Sequence, residues 1–223
     1  MKALIFAAGR GERMRPLSLS TPKPLLEVGG KPLIVWHLER LARAGVTDVV
    51  INTSWLAEQF PDRLGDGQRF GLRIHYSYEG AEPLETGGGI VHALPLLGTD
   101  PFLVVNGDIF TDFDFACLPS QPERLAHLRL VPLPPFRHGG EFERAVSPLL
   151  PDHRGRLFTL SGIAVLRPEL LAGCTPGRFS ITPLLTKAAL CGQVEVAQLS
   201  ALWEDVGTVE RLHALDARLC SPH

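Results

Sequence analysis

Short apolar runs separated by glycine and proline set the rhythm of this chain. Ala3-Leu4-Ile5-Phe6 reads as a buried strand and passes straight into Ala7-Ala8-Gly9-Arg10-Gly11-Glu12-Arg13. After Met14, Pro16, Pro22 and Pro24 keep the chain extended or turning, because proline removes a donor and restricts its predecessor. Pro32 to Ala44 carries apolar residues at helical spacing, with a proline start and a stop at Gly45. Asp48 to Asn52 reads as a second strand and Leu72 to Tyr78 as a third. Between them, Ser54 is placed to cap a helix running to Leu64, which Pro61 would bend or split. Strand, helix, strand, helix, strand within about 75 residues predicts βαβ units on a parallel sheet. Right-handed crossovers then put the first strand centrally, with its C-terminal end where ligands bind such sheets.

The pattern continues with Glu82 to Gly89 (EPLETGGG) ahead of a helical stretch from Ile90 to Leu97, the three glycines exposing N–H groups at its start. Phe102 to Val105 is a fourth buried strand, ending in Asn106-Gly107-Asp108. Leu125 to Val131 and Leu157 to Leu166 read as strands. Prolines 132, 134 and 135 with Gly139-Gly140 mark one long loop between them, and Pro148 to Gly155 another. Ser180 to Leu190 is predicted helical, Val194 to Leu199 an edge strand, and Thr208 the N-cap of a closing helix to Leu219. No internal repeat or low-complexity tract interrupts this order.

Composition narrows the function classes. A chain of 223 residues with 45% hydrophobic content can bury a sizeable core. A formal charge of −2 and a pI near 6.4 argue against a nucleic-acid or membrane-surface protein. Six apolar residues between Lys2 and Gly9 are too few for a signal peptide, and no run approaches the ~18–20 residues of a membrane span. The four cysteines (117, 174, 191 and 220) form no CxxC pair, and the eight histidines make no HExxH spacing. His37, within an apolar helical pattern, reads as partly buried structure. The expectation is a soluble cytoplasmic protein.

The chemistry is concentrated near the N-terminus. Small residues and glycines directly after a strand let backbone N–H groups approach a ligand. Arg10, Arg13, Arg15 and Lys23 follow within fourteen residues, answered only by Glu12. Bare N–H groups beside four cations describe a place for a polyphosphate. No Walker A string is present, and a dinucleotide fingerprint fails where its third glycine would fall on Met14. Asp108, at the end of a central strand beside this loop, stands where a divalent metal would be held.

The string AAGxGxRxxPLS followed by PKPL resembles the sugar-1-phosphate nucleotidyltransferases, and the resemblance runs from Met1 to about Leu219. It implies a three-layer α/β/α sandwich with a mixed, mainly parallel central sheet of the nucleotide-diphospho-sugar transferase type. It also implies a single domain over 1–223, in which 1–110 bind nucleotide and 111–223 bind sugar. By the same resemblance Arg13 and Lys23 are the catalytic cations. Ala7, Ala8, Gly9, Gly11, Asn52, Glu82, Gly87 and Asn106 join them around the nucleotide. Glu141, Ser161 and Gly162 face the sugar, and Asp108 and Asp205 hold one Mg2+. The family's Glu-Lys pair falls near Glu143-Arg144. The element EPLGTAG has Glu85 here in place of its first glycine, a departure shared by the branch acting on N-acetylmuramate 1-phosphate. The implied reaction joins UTP and a sugar 1-phosphate into a UDP-sugar and pyrophosphate. The lactyl carboxylate of such a sugar needs a cation, for which Arg137, His138 and Arg144 are the candidates. Alternatives are GTP with mannose 1-phosphate, thymidylyl or uridylyl transfer to glucose 1-phosphate, and a non-catalytic nucleotide-sugar sensor. Met14 and Pro16 disfavour an NAD-dependent oxidoreductase.

Overall fold

The computed structural model describes residues 1–220. From the N-terminus, β1 (Lys2–Phe6) leads through a loop of short 3-10 turns to the small hairpin β2 (Glu27–Val28) and β3 (Lys31–Pro32). Then come α1 (Leu33–Arg43), β4 (Asp48–Thr53), α2 (Gln59–Leu64), β5 (Arg73–Tyr78), α3 (Glu85–Leu97), β6 (Phe102–Asn106) and β7 (Ile109–Thr111). The second half adds β8 (Ala126–Pro132), α4 (Glu141–Val146), β9 (Phe158–Leu166), α5 (Thr182–Leu190), β10 (Val194–Gln198), β11 (Trp203–Asp205) and α6 (Val209–Cys220).

Seven strands form one sheet in the order β10-β8-β9-β6-β1-β4-β5. β1 pairs in parallel with β4 and β6, as the βαβ reading requires, whereas β9 runs antiparallel to both neighbours. Alternation along the central strands explains the layering. Ala3, Ile5, Val49, Ile51, Leu103 and Val105 face one side, where α1 lays down Ile34, Leu38 and Leu41 and α2 adds Phe60. Leu4, Val50, Phe102 and Val104 face the other, against Ile90 and Leu97 of α3, Phe142 of α4 and Leu185 of α5. Each such side chain, removed fully from water, contributes about 1.5–3 kcal/mol before entropy is counted. The expected three-layer sandwich with a mixed, mainly parallel sheet is therefore the observed one.

A third cluster lies off the sheet. Met14 from the loop and Val28 pack with Phe110, Val206, and Leu212 and Leu215 of α6. Met14 is fully buried there. The side chain that spoils a dinucleotide fingerprint is thus what ties the loop to the C-terminal helix.

Two expectations are corrected. Ser54 does not cap a helix: its hydroxyl donates to the Gly80 carbonyl at 2.8 Å, and α2 begins only at Gln59, with Pro61 inside its first turn. The helix predicted from Ile90 begins at Glu85 and takes in all three glycines. The loop read from Pro132 to Gly140 is observed, and the short helix α4, which the sequence reading did not include, follows it. Trp203–Asp205, which follows β10, is itself a short strand paired antiparallel with β7.

Candidate active site

A cleft of about 690 Å3 opens at the C-terminal ends of β1, β4 and β6. Its floor and walls include Ala7, Ala8, Gly9, Gly11, Arg13, Lys23, Asn52, Asn106 and Asp108, nine of the residues singled out from the sequence. The loop from Ala7 to Leu26 is held over this cleft from outside. The Ser18 hydroxyl donates to the Gly11 carbonyl (2.7 Å), and the Trp55 indole donates to the Ser18 carbonyl (2.9 Å). The N–H groups of Ala8 to Gly11 make no hydrogen bond within the described protein. Ala8 is buried and Gly9 exposed, so these donors face the open space of the cleft.

Ala7 and Asn52 line the cleft and are also bonded to each other. The Ala7 N–H donates to Asn52 Oδ1 (2.7 Å), and Asn52 Nδ2 donates to Glu79 Oε1 (2.6 Å). Glu79 Oε2 accepts the Leu84 N–H (2.7 Å). This chain of bonds ties the ends of β1, β4 and β5 to the loop before α3. Burial raises the Glu79 carboxyl above its ordinary range, while the Leu84 and Asn52 donors pull it back. Glu79 lines the cleft, and nothing in its local sequence marked it.

Gly87 and Gly88 at the start of α3 do not offer bare N–H groups. Gly87 and Gly88 both donate to the Phe179 carbonyl, at 2.9 and 3.1 Å, and Phe179 N–H returns to the Leu84 carbonyl (3.1 Å). The segment around residues 177–179 thus straps the helix end, and Gly87 does not line the cleft. A Cβ on Gly88 would fall 2.1 Å from the Gly177 carbonyl oxygen. Gly88→Ala is expected to lose about 1–3 kcal/mol, the scale of an overpacked core site. Urea unfolding would measure it, and a change below half a kcal/mol would mean the strap gives way freely. Arg178, on the strap, reaches the cleft wall and pairs with Glu85 at 3.0 Å.

Among the remaining site residues, Glu82 lies outside the cleft lining, paired with Arg10. Ser161 is buried, its hydroxyl given to the Arg129 carbonyl (2.7 Å). Ser161 and Gly162 form a bulge, because Ile163 pairs with Arg129 while Leu160 pairs with Leu130. At φ +85°, Gly162 lies where a Cβ would meet the Asn106 side chain at 2.9 Å, so it makes room for Asn106. Glu141 opens α4 on the exposed surface. Glu143 is committed to the Gly140 N–H (2.7 Å) and the Thr159 hydroxyl (2.9 Å). Arg144 donates to the Gly139 carbonyl (3.2 Å).

The two aspartates meet at one end of the β7–β11 ladder. Asp205 faces Ile109 across it, and the Val206 N–H donates to the Asp108 carbonyl at 3.0 Å. Each carboxylate is held by cations. Lys23 Nζ, on a side chain only 9% exposed, lies 2.8 Å from Asp108 Oδ2. Asp205, 6% exposed, takes Arg137 at 3.0 Å and Arg211 at 3.5 Å on the same Oδ2. A Cβ on Gly207 would touch Asp205 Oδ1 at 3.1 Å and the Arg13 guanidinium at 3.4 Å, so Arg13 borders the same space. No helix among the described residues is long and apolar enough to cross a membrane.

The chain is similar to known proteins. The Nucleotidyl transferase family profile matches residues 2–125. The N-acetylmuramate alpha-1-phosphate uridylyltransferase of Neisseria meningitidis serogroup B is 50% identical over 97% of each chain. The protein of the same name from Caulobacter vibrioides is 35% identical, over 97% of this chain and 96% of its own. A Bacillus anthracis structure, of a protein provisionally called a glucose-1-phosphate thymidylyltransferase in complex with a sucrose, superposes with a TM-score of 0.81. It is 22% identical and covers 100% of this chain and 96% of its own. The loop after β1, Arg13, Lys23 and Asp108 line one cleft, with Asp205 close to Asp108 on the strand paired with β7, and the matches show that the chain belongs to the nucleotidyl transferase family as a sugar-1-phosphate nucleotidyltransferase.

Proposed function

We propose that the protein transfers a uridylyl group from UTP to N-acetylmuramate α-1-phosphate, releasing pyrophosphate, with Mg2+ as cofactor. One observation carries the chemistry: the N–H groups of Ala8 to Gly11, Arg13, Lys23 and Asp108 converge on a single cleft. The choice of substrates is supported by the two relatives of that name, one of them identical at half its aligned positions.

The donor chemistry fits Mg2+. Asp108 and Asp205 offer hard carboxylate oxygens at adjoining positions, and no cluster of three or more metal-ligating side chains is found among the described residues. Mg2+ characteristically takes one or two carboxylates and completes its shell with water and phosphate oxygens. When bound, it supplies positive charge between the two phosphate groups that must approach. The rest falls to the chain itself. The N–H groups after β1 cradle the triphosphate, and Arg13 grips its oxygens as a planar fork. Lys23 offers a point charge on the side of Asp108. The sugar phosphate oxygen attacks the α-phosphorus in line as the bond to pyrophosphate breaks. Positioning and charge neutralisation suffice, and no general base is needed, because a phosphate monoester is already ionised at neutral pH.

Pyrophosphate release from each of the four NTPs against a panel of sugar 1-phosphates tests the reading. The highest kcat/KM is expected for UTP with the muramate substrate. A preference for GTP with mannose 1-phosphate, or for glucose 1-phosphate, would replace it, and no release with any pair would leave a sensor. Within the reaction, Arg13→Ala is expected to raise KM for UTP and lower kcat, while Lys23→Ala acts mainly on kcat. Each removes a charged hydrogen bond of about 1.5–3 kcal/mol, some ten- to hundredfold. An unchanged UTP affinity in Arg13→Ala would take that arginine off the triphosphate.

A further inference from the structure

We infer that Arg137 is an exchangeable counter-cation of Asp205, holding the carboxylate until a divalent cation arriving with the nucleotide displaces it. The inference rests on the proposed reading of Asp205 as a metal ligand. What carries it is the occupancy of one atom. Asp205 Oδ2 accepts Arg137 Nη2 at 3.0 Å, with Arg211 Nη1 at 3.5 Å. A carboxylate oxygen that binds Mg2+ does so at about 2.0–2.1 Å, which leaves no room for a guanidinium in the same direction. A cation on this oxygen displaces one of the present partners, and one on Oδ1, which accepts no hydrogen bond among the described residues, still competes with them for the same charge.

The fold identifies which one. Arg211 belongs to α6, donates also to the Asp205 backbone carbonyl (3.3 Å), and is covered by the Phe136 ring at 3.7 Å. Lys23 serves the other aspartate and is buried. Arg137 alone sits on a loop between a strand and a helix, with its side chain 42% exposed. Apart from its own turn bond, N–H to the Pro134 carbonyl at 2.9 Å, the Asp205 contact is what holds it in place. Rotating this side chain away disturbs no packed element.

The charge balance gives the exchange a direction. Arg13, Lys23, Arg137 and Arg211 surround two carboxylates, so a bare divalent cation meets a surplus of like charge. A cation carried by a triphosphate brings more negative charge than positive and meets the opposite situation. Arg137 therefore disfavours loading of the cradle by free metal and yields to metal delivered on the nucleotide.

The test is a Mn2+ titration followed by electron paramagnetic resonance, without nucleotide and again with a non-hydrolysable UTP analogue. Arg137→Gln, Arg144→Gln and Asp205→Asn are compared with the wild type. Removing one partly exposed ion pair from Asp205 should tighten Mn2+ binding in Arg137→Gln about fivefold without nucleotide. With the analogue, wild type and Arg137→Gln should agree within about twofold, since the displaced guanidinium then pairs with phosphate oxygens, which offsets the lost contact. Arg144→Gln, whose arginine bonds the Gly139 carbonyl instead, should match the wild type throughout. Unchanged or weaker Mn2+ binding in Arg137→Gln, while Asp205→Asn loses it, overturns the exchange and leaves the metal site standing. Mn2+ binding that survives Asp205→Asn overturns the metal reading and the exchange with it.

Discussion

Asp108→Asn and Asp205→Asn should each lower kcat by about thirty- to a thousandfold, 2–4 kcal/mol of transition-state stabilisation, the scale of one lost electrostatic contact. The two variants should differ in stability. The Asp108 side chain is 40% exposed and its one cation is Lys23, so the amide leaves a single pair unmade. Asp205 is buried under two arginines, so the amide leaves Arg137 and Arg211 crowded together without a counter-charge. Both arginines keep access to water, which limits the added cost to about 1 kcal/mol. Steady-state rates over a Mg2+ series, with urea unfolding of each variant, would show both effects. Turnover near the wild-type rate at low Mg2+ in either variant would end the two-aspartate reading.

Acid should weaken the fold through one buried imidazole. His37 of α1 lies fully inside the core and hydrogen-bonds the carbonyl of Ile109, the residue after Asp108, at 2.8 Å. Burial drives its pKa down from 6.5 to about 4, with the Ile109 carbonyl opposing and Arg40 assisting. Between those values the unfolded chain carries a proton on this ring that the folded chain does not. Stability is therefore complete above pH 6.5, declines as pH falls towards 4, and changes no further from this source below that. The window of about 2.5 units corresponds to about 3 kcal/mol. His37→Gln, which retains a donor for the Ile109 carbonyl, should remove that slope. The measurement is the difference in unfolding free energy between wild type and variant from pH 7 to 4. A difference that stays constant across that range would show that His37 does not titrate against the fold.

The parts of this protein that were legible in the sequence are those whose causes are local. Ala3 to Phe6 and Asp48 to Asn52 are apolar on both faces because helices cover both sides of the sheet, and they read as buried strands for that reason. The loop after β1 was legible as a candidate anion site because small residues after a strand and cations in reach lie within one stretch. Distant contacts were not legible. EPLETGGG reads as exposed N–H groups, but its glycines answer the close approach of a strap some ninety residues later. Glu79 has no local signature, and its place follows from Asn52 on the neighbouring strand. Ser161 and Gly162, singled out for the sugar, are the two residues of a bulge whose shape depends on Arg129 and Asn106. His37 is more deeply buried than its helical pattern alone predicts, because Phe115 packs beside it from beyond β7.

The pairing of β11 with β7 also fixes when, during synthesis, the protein can begin to work. Asp205 reaches its place only by closing a ladder onto residues more than ninety positions earlier, and Leu212 and Leu215 then cover Met14 of the loop. A nascent chain that has emerged only to about residue 200 holds β1, β4, β5 and β6 but lacks the strand that carries the second carboxylate and the helix that seats the loop. Contacts of such long range form late, because the entropy of closing the intervening chain must be overcome before they contribute. Substrate binding therefore cannot assist the early stages of folding on the ribosome. Ligand rescue of a folding-defective variant should be confined to chains whose last twenty or so described residues are already in place.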